Sequence, residues 1–174
     1  FAGELDFRPS LHALKNASAA AQVRLSGPLR LLLEGFSMHP MSLCIEACAG
    51  AGKSEFIRLL AERNAKQDRR TLVLCYNRPL AGLLRDALQA AVIVDTYFGF
   101  RRCVAEALGE ELDFPAAADQ SFWERVEEGI AVRAKDAGLP DAWRFDAILV
   151  DEAQDLDTTA LDRIRAHLRE GGAL

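Results

Sequence analysis

The chain has 174 residues, half of them hydrophobic and 27% charged, with a formal net charge of −5 at pH 7. This is enough apolar material for one α/β domain with a real core, and neither repeats nor low-complexity tracts interrupt it. No apolar run approaches the length of a membrane span and the N-terminus lacks a signal-peptide layout, so no membrane partner is expected.

Cys44, Cys48, Cys75 and Cys103 follow no zinc spacing, and a reduced, cytoplasmic protein is the simplest reading. The chain begins at Phe1 without an initiating methionine, which points to an excised piece of a longer polypeptide. Charge is unevenly spread: residues 1–52 balance to zero, residues 53–102 carry a net +5, and residues 103–174 carry a net −10. A basic middle third is compatible with a polyanion-binding face, as it is with ordinary solvated helix surfaces.

In chain order, residues 1–40 form an N-terminal helical or irregular segment, with a helix over 17–35 interrupted near Ser26-Gly27-Pro28. Residues 41–47 (MSLCIEA) read as the first core strand. Residues 54–67 read as a helix whose buried stripe is Phe56, Ile57, Leu59 and Leu60, with Arg58, Arg63 and Lys66 toward water. Residues 71–76 (TLVLCY) are a continuous apolar run, as in a parallel sheet buried on both faces. Pro79 opens a helix bearing Leu80, Leu83, Leu84, Ala87 and Leu88. Residues 91–100 read as the third strand plus a loop, and residues 103–145 as a helical insertion standing off the sheet, with Trp123 and Trp143 as core anchors. Residues 145–155 supply the fourth strand and its loop. Asp157 or Thr158 then caps a helix through Leu161, Ile164 and Leu168, which Gly171-Gly172 ends. This alternation implies an α/β fold with a doubly wound parallel sheet and a ligand outside the strands' carboxyl ends.

Two stretches carry chemistry. ACAGAGKS (47–54) is a small-residue loop between a strand and a helix. Gly50 and Gly52 permit positive φ and close approach of the backbone. The N–H groups of Ala49, Gly50, Ala51 and Gly52, with the helix N-terminus, then face an anion. Lys53 reaches the outer phosphates of a nucleotide and the Ser54 hydroxyl takes a position on Mg²⁺. The strict Walker A pattern places glycine at position 47, which is alanine here. In the second stretch, AILVDEAQD, an apolar strand ends in Asp151 and Glu152. Asp151 suits the metal and Glu152 a general base that polarises the attacking water. Together they point to Mg²⁺-dependent hydrolysis of a nucleoside triphosphate.

The combination of ACAGAGKS with DEAQD (a Walker B-type motif) resembles UvrD/Rep-type superfamily 1 helicases. LVLCYNRPLAGLL (72–84) is similar to that family's motif Ia, VDTYFGF (94–100) to its TxHxF-type segment, and RFDAILVDEAQDL (144–156) to the approach to motif II. The resemblance covers about residues 40–168. It implies most of the first RecA-like P-loop motor domain, over 41–174 with the 103–145 insertion, of an ATP-dependent helicase or translocase acting on single-stranded DNA or RNA, DNA being favoured. ATP and Mg²⁺ would bind at Lys53, Ser54 and Asp151, Glu152 would be the base, and Gln154 would contact the γ-phosphate region. Tyr76, Asn77, Arg78, Thr96, Tyr97 and Phe98 would lie along the single-strand track, with Arg101 and Arg102 as further phosphate contacts or plain surface.

Departures bound the reading. The family's adenine-reading glutamine has only Gln22 as a candidate, far from Lys53 and without the surrounding pattern. The second RecA-like domain of the same polypeptide, with its arginines, is a required partner, and residues 1–174 by themselves are expected to bind nucleotide weakly and hydrolyse little. Two rivals are a small-molecule kinase, which has less use for a water-activating Glu152, and a nucleotide-binding regulatory or scaffold domain that uses the acidic 103–174 surface.

Overall fold

The computed structural model describes residue 33 and residues 43–46, 50–88, 92–110 and 119–174. Chain order within these is α1 (Lys53–Lys66), β1 (Thr71–Cys75), α2 (Arg78–Ala87), β2 (Val92–Thr96), α3 (Tyr97–Ala107), α4 (Gln120–Ala137), β3 (Phe145–Val150), α5 (Thr158–Arg165) and β4 (Leu168–Ala173). The four strands form one parallel sheet in the order β2-β1-β3-β4. Among the described residues, no helix is long and apolar enough to cross a membrane.

Strand periodicity explains the layering. Successive side chains of β1 point to opposite faces. Val73 and Cys75 join Phe56, Leu60 and Ala61 of α1 and Leu84 of α2 on one face. Leu72 and Leu74 join Phe100 and Val104 of α3, Val126 and Ile130 of α4 and Ile164 of α5 on the other. All five residues of β1 are buried because helices cover both faces, which is why TLVLC reads as an unbroken apolar run. The stretch expected to stand off the sheet therefore supplies, through α3 and α4, much of one covering layer. Trp143 packs against Phe100 at 5.7 Å between ring centres, as an anchor does.

Helix boundaries follow their caps. Asn77 accepts a hydrogen bond from the Leu80 N–H at 2.9 Å to open α2, whose second position is Pro79. Asp119 opens α4 through Phe122 N–H at 2.8 Å, and Asp157 opens α5 through Ala160 N–H at 2.7 Å. β2 is an edge strand among the described residues, and the Arg85 guanidinium reaches across to donate to its Val94 carbonyl at 2.7 Å.

Four expectations are corrected. Residues 43–46, the part of the expected first strand that is described, lie in no strand: Leu43 N–H donates to Leu174 O at 2.8 Å, which sets it beside the end of β4. The segment after β2 is helix, not loop, because the Thr96 hydroxyl accepts the Gly99 N–H at 3.1 Å and starts α3 at Tyr97. The last helix stops at Arg165 and Leu168 begins a strand. Gly171 and Gly172 lie inside that strand, where five steps along β4 (Leu168 to Ala173) face two along β3 (Phe145 to Ala147). Such a bulge selects glycine: Gly171 has φ +74°, and a Cβ on Gly172 would meet backbone oxygens of Arg169 and Phe145 at 3.0 and 3.3 Å. In α2, Ala87 is exposed and Ala81 takes the buried position instead. The helix expected over 17–35, other than the half-buried helical Leu33, and Gln22 lie outside the described residues.

Candidate functional site

The two chemistry-bearing stretches meet. Ser54 Oγ donates to Asp151 Oδ2 at 2.7 Å across 97 residues of sequence. On one side, Gly50 and Gly52 have φ of +79° and +88°, and Gly52 is the left-handed cap from which α1 departs. Phe56 N–H returns to Gly52 O at 2.8 Å, closing the first helical turn. Lys53 and Ser54 thus sit at the first two helical positions, where free N–H groups and the helix dipole favour anions. Ala49 lies outside the described residues; Gly50 is exposed and Ala51 half-buried in the same loop.

On the other side, Asp151 N–H donates to Leu74 O at 2.9 Å, extending the β1–β3 ladder one step past Val150. This carries the carboxylate to the strand tip while leaving it only 4% exposed. Its Oδ1 accepts Glu152 N–H at 3.1 Å. Both carboxylate oxygens are therefore engaged, one by the hydroxyl and one by backbone. Glu152 follows in the left-handed region, with φ 56° and ψ 46°, an arrangement that costs a non-glycine residue about 1 kcal/mol or more and recurs at functional sites. Its side chain accepts a hydrogen bond from Gln154 Nε2.

A cavity of about 610 Å³ opens between these walls, lined by Lys53, Asp151, Glu152 and Gln154 and by apolar Phe56 and Leu161. A second, of about 860 Å³, lies past the carboxyl ends of β1, β2 and β3 and shares Asp151 and Glu152 with the first. The donors that meet here, a hydroxyl and carboxylate oxygens, are hard oxygen ligands of the kind Mg²⁺ takes. Among the described residues no group of three or more His, Cys, Asp or Glu side chains stands together as a metal cage. A Mg²⁺ ion here would complete its shell from phosphate oxygens and water, which is its usual habit in nucleotide sites.

The residues expected along a strand track separate into two groups. Tyr76 (66% exposed), Arg78 and Phe98 (50% exposed) face solvent around the second cavity. Asn77 and Thr96 spend their side-chain oxygens on helix caps, although Thr96 also borders the cavity. Tyr97 turns inward: it is 8% exposed and its hydroxyl lies 3.3 Å from Glu127. The reason is helical phase, since the turn that Thr96 starts puts Tyr97 on the core side and Phe98 on the outside. Arg101 is likewise buried, donating to Glu127 through Nε (2.7 Å) and a terminal nitrogen (2.6 Å), so it is no surface phosphate contact. Arg102 is exposed and pairs with Glu106 one turn on.

Residues outside the motifs also shape the site. Trp123 of α4 is half-buried and packs against the core layer, as Trp143 does, and its other side meets the Phe98 ring at the edge of the second cavity, with ring centres 4.6 Å apart and planes tilted by 36°. Arg163 of α5 lies 3.4 Å from Glu127 and faces the same cavity. The apolar periodicity of 120–137 identifies the helix but not the ring across from it, and nothing in the local sequence distinguishes Arg163 from Arg165. Cys75, at the end of β1, has its thiol pushed up to about 12 by burial and then by the carboxylates of Asp151 and Asp95. It stays protonated and acts as packing.

No family model matches the chain, and comparison with curated proteins and with solved structures found no match.

Proposed function

We propose that this chain is the greater part of a RecA-like P-loop motor domain that binds Mg²⁺–ATP and hydrolyses it, within an ATP-dependent helicase or translocase working on single-stranded DNA or RNA. The observation that carries the reading is the Ser54–Asp151 hydrogen bond at 2.7 Å, which joins a glycine loop at a helix start to a carboxylate at a strand tip. A hydroxyl and a buried carboxylate held together at the mouth of a cavity, beside a lysine, suit a metal–triphosphate better than they suit packing.

In this reading the loop N–H groups and the start of α1 hold the phosphates, and Lys53 places its ammonium against the outer ones. Mg²⁺, when bound, neutralises charge on the phosphate oxygens. Ser54 and Asp151 keep the oxygens that would face it in register. Glu152 accepts the proton of the attacking water as the water oxygen bonds to the γ-phosphorus and the bond to the β-phosphate oxygen breaks. Gln154, which donates to Glu152, fixes the direction of that carboxylate. The second cavity lies at the carboxyl ends of β1, β2 and β3 and the first reaches Asp151 at the end of β3, the side where an open parallel sheet places its ligands.

The test is equilibrium binding of a fluorescent ATP analogue to residues 1–174 with and without Mg²⁺. Wild type is expected to bind in a Mg²⁺-dependent manner and to turn over slowly. Lys53→Ala should lose binding about tenfold or more, and Glu152→Gln should bind normally and not turn over. Equal binding by wild type and Lys53→Ala would overturn the assignment.

A further inference from the structure

We infer that the second cavity docks a basic protein segment, one of whose arginines lays its guanidinium on the rings of Phe98 and Tyr76 and bonds to carboxylates at the rim. The inference stands on the chemistry of this cavity and does not depend on the motor reading above.

Charge comes first. The walls carry six carboxylates (Asp119, Glu124, Asp151, Glu152, Asp155 and Asp157) against the two guanidinium groups of Arg78 and Arg163, a net charge of −4. Arg163 is moreover spent in part on the buried Glu127, 3.4 Å away. Residues 53–102 carry a net +5, yet of their basic side chains only Arg78 borders this cavity. Capping does not discharge the acids. The Phe122 N–H, and then the Ser121 hydroxyl, hold the Asp119 carboxyl below its ordinary range, so it stays ionised. A phosphate chain would bring like charge against these walls, whereas a cationic segment complements them.

The rings come second. Of the four large apolar side chains that stand exposed among the described residues, Tyr76 and Phe98 both border this cavity. Half-buried Trp123 lies behind Phe98, and buried Phe122 meets Trp123 edge-on at 5.5 Å, so the aromatic wall is braced by the core. Exposed aromatic faces attract cations. Arginine suits the combination better than lysine, because a planar guanidinium stacks on a ring while its N–H edge bonds to a carboxylate.

Size and spacing decide between a metal ion and an extended cation. Among the described residues no three His, Cys, Asp or Glu side chains converge on one point to cage a metal. The cavity, at about 860 Å³, is far larger than an ion needs and lies in the range of about 300–1,000 Å³ typical of pockets for whole ligands. Asp119 and Asp157 each give an oxygen to a helix cap, and Asp151 is tied to Ser54. Glu124 and Asp155 are exposed at the rim and are the carboxylates an incoming guanidinium meets.

The experiment is fluorescence anisotropy of a labelled octapeptide of alternating arginine and glycine on the 174-residue chain. The competitors are the same peptide with lysine for arginine and a short oligothymidylate. Wild type should bind the arginine peptide, and the lysine peptide should compete several-fold less well. Glu124→Gln/Asp155→Asn should weaken binding about fivefold, as expected for two exposed ion pairs. Glu128→Gln/Asp136→Asn, the same change of charge at exposed positions of α4 outside the cavity, should leave it unchanged. Phe98→Leu, which keeps an apolar side chain and loses the ring, should weaken binding about threefold, and Phe98→Tyr should not. The inference is overturned if wild type does not bind the peptide, if both charge pairs weaken it equally, if Phe98→Leu binds as wild type, or if the lysine peptide competes as well as the arginine one. It is equally overturned if the oligothymidylate displaces the peptide and binds more tightly to Glu124→Gln/Asp155→Asn. Mg²⁺–ATP binding on the same samples reports the Lys53 site, which involves neither Phe98 nor Glu124, so failure of either claim is distinguishable from failure of the other.

Discussion

A terminal nitrogen of Arg101 meets His167 Nε2 at 2.8 Å, and the pair can bond in only one direction. A guanidinium has no lone pair to offer, so the imidazole accepts. His167 Nδ1 then carries the hydrogen and donates to Trp143 O at 2.8 Å. The ring is 1% exposed, and burial, with the nearby Arg101 and Arg144 charges, pushes its pKa down to about 4 against the raising effect of the Trp143 carbonyl and Glu127.

The consequence is an acid-labile fold. The unfolded chain takes up a proton on this histidine near pH 6.5, and the native chain does not until about pH 4. Stability is therefore fully present above pH 6.5 and declines as pH falls through that window, by about 3 kcal/mol in all at 1.36 kcal/mol per pKa unit. Urea midpoints measured between pH 7.5 and 4 should follow this slope. In His167→Gln the portion of the slope between pH 6.5 and 4 should flatten, whatever its offset at pH 7.5.

Glu127→Gln should cost about 3 to 5 kcal/mol, because it strands the guanidinium groups of Arg101 and Arg163 beside a neutral amide. Arg163→Gln should cost far less, since Arg101 still satisfies Glu127. Chemical denaturation of the two variants checks the difference, and equal losses would contradict the closer and more buried pairing of Arg101 with Glu127.

The strand tip trades stability for geometry. Glu152→Gly should raise stability by about 1 kcal/mol by relieving the left-handed backbone, and should abolish turnover. Glu152→Gln keeps the strain and should leave stability near wild type while also abolishing turnover. Thermal melts paired with phosphate release distinguish them.

Much of this was readable beforehand, and the boundary of legibility is physical. The β1 run, most of the α1 stripe (Phe56, Ile57 and Leu60, with Leu59 only half-buried) and the tip at Asp151 were evident because each is a local pattern: a doubly buried strand, a 3.6-residue period, an apolar run ending in acids. The meeting of Ser54 and Asp151 followed from two such patterns that chemistry associates. β4 was not evident, because LREGGA lacks the composition of a strand and owes its place to a bulge against β3. Nor was the inward turn of Tyr97, since reading 97–100 as a loop ignored the cap that Thr96 supplies. Trp123 and Arg163 answer to partners on other helices, Phe98 and Glu127, which no local pattern reports.

Gly99→Ala provides a tertiary test of α3. A Cβ there would fall 2.2 Å from Asp95 Oδ1 and 2.7 Å from its Cγ, so the substitution should cost about 1–3 kcal/mol instead of the usual helical gain. With Asp95→Ala in the background the same change should turn neutral or favourable. Denaturation of the four members of this cycle measures the coupling, and additive effects would show that Asp95 yields at no cost.

Ser54→Ala removes the hydroxyl that joins the two motifs. Stability should fall by about 1 kcal/mol, the usual net worth of a hydrogen bond. Nucleotide affinity should fall in the presence of Mg²⁺ and change little in EDTA. Calorimetric titrations under the two conditions check this.

Among the described residues β2 is the edge of the sheet, and the Arg85 guanidinium on Val94 O occupies an acceptor that its outer side would otherwise present to any passing backbone N–H. Exposed rims of this kind recruit strands from other copies, and a long cationic side chain laid along one acts as a guard. Deleting it should leave the melting temperature nearly unchanged while shortening the time to turbidity at high concentration, a colloidal fault with no folding fault behind it.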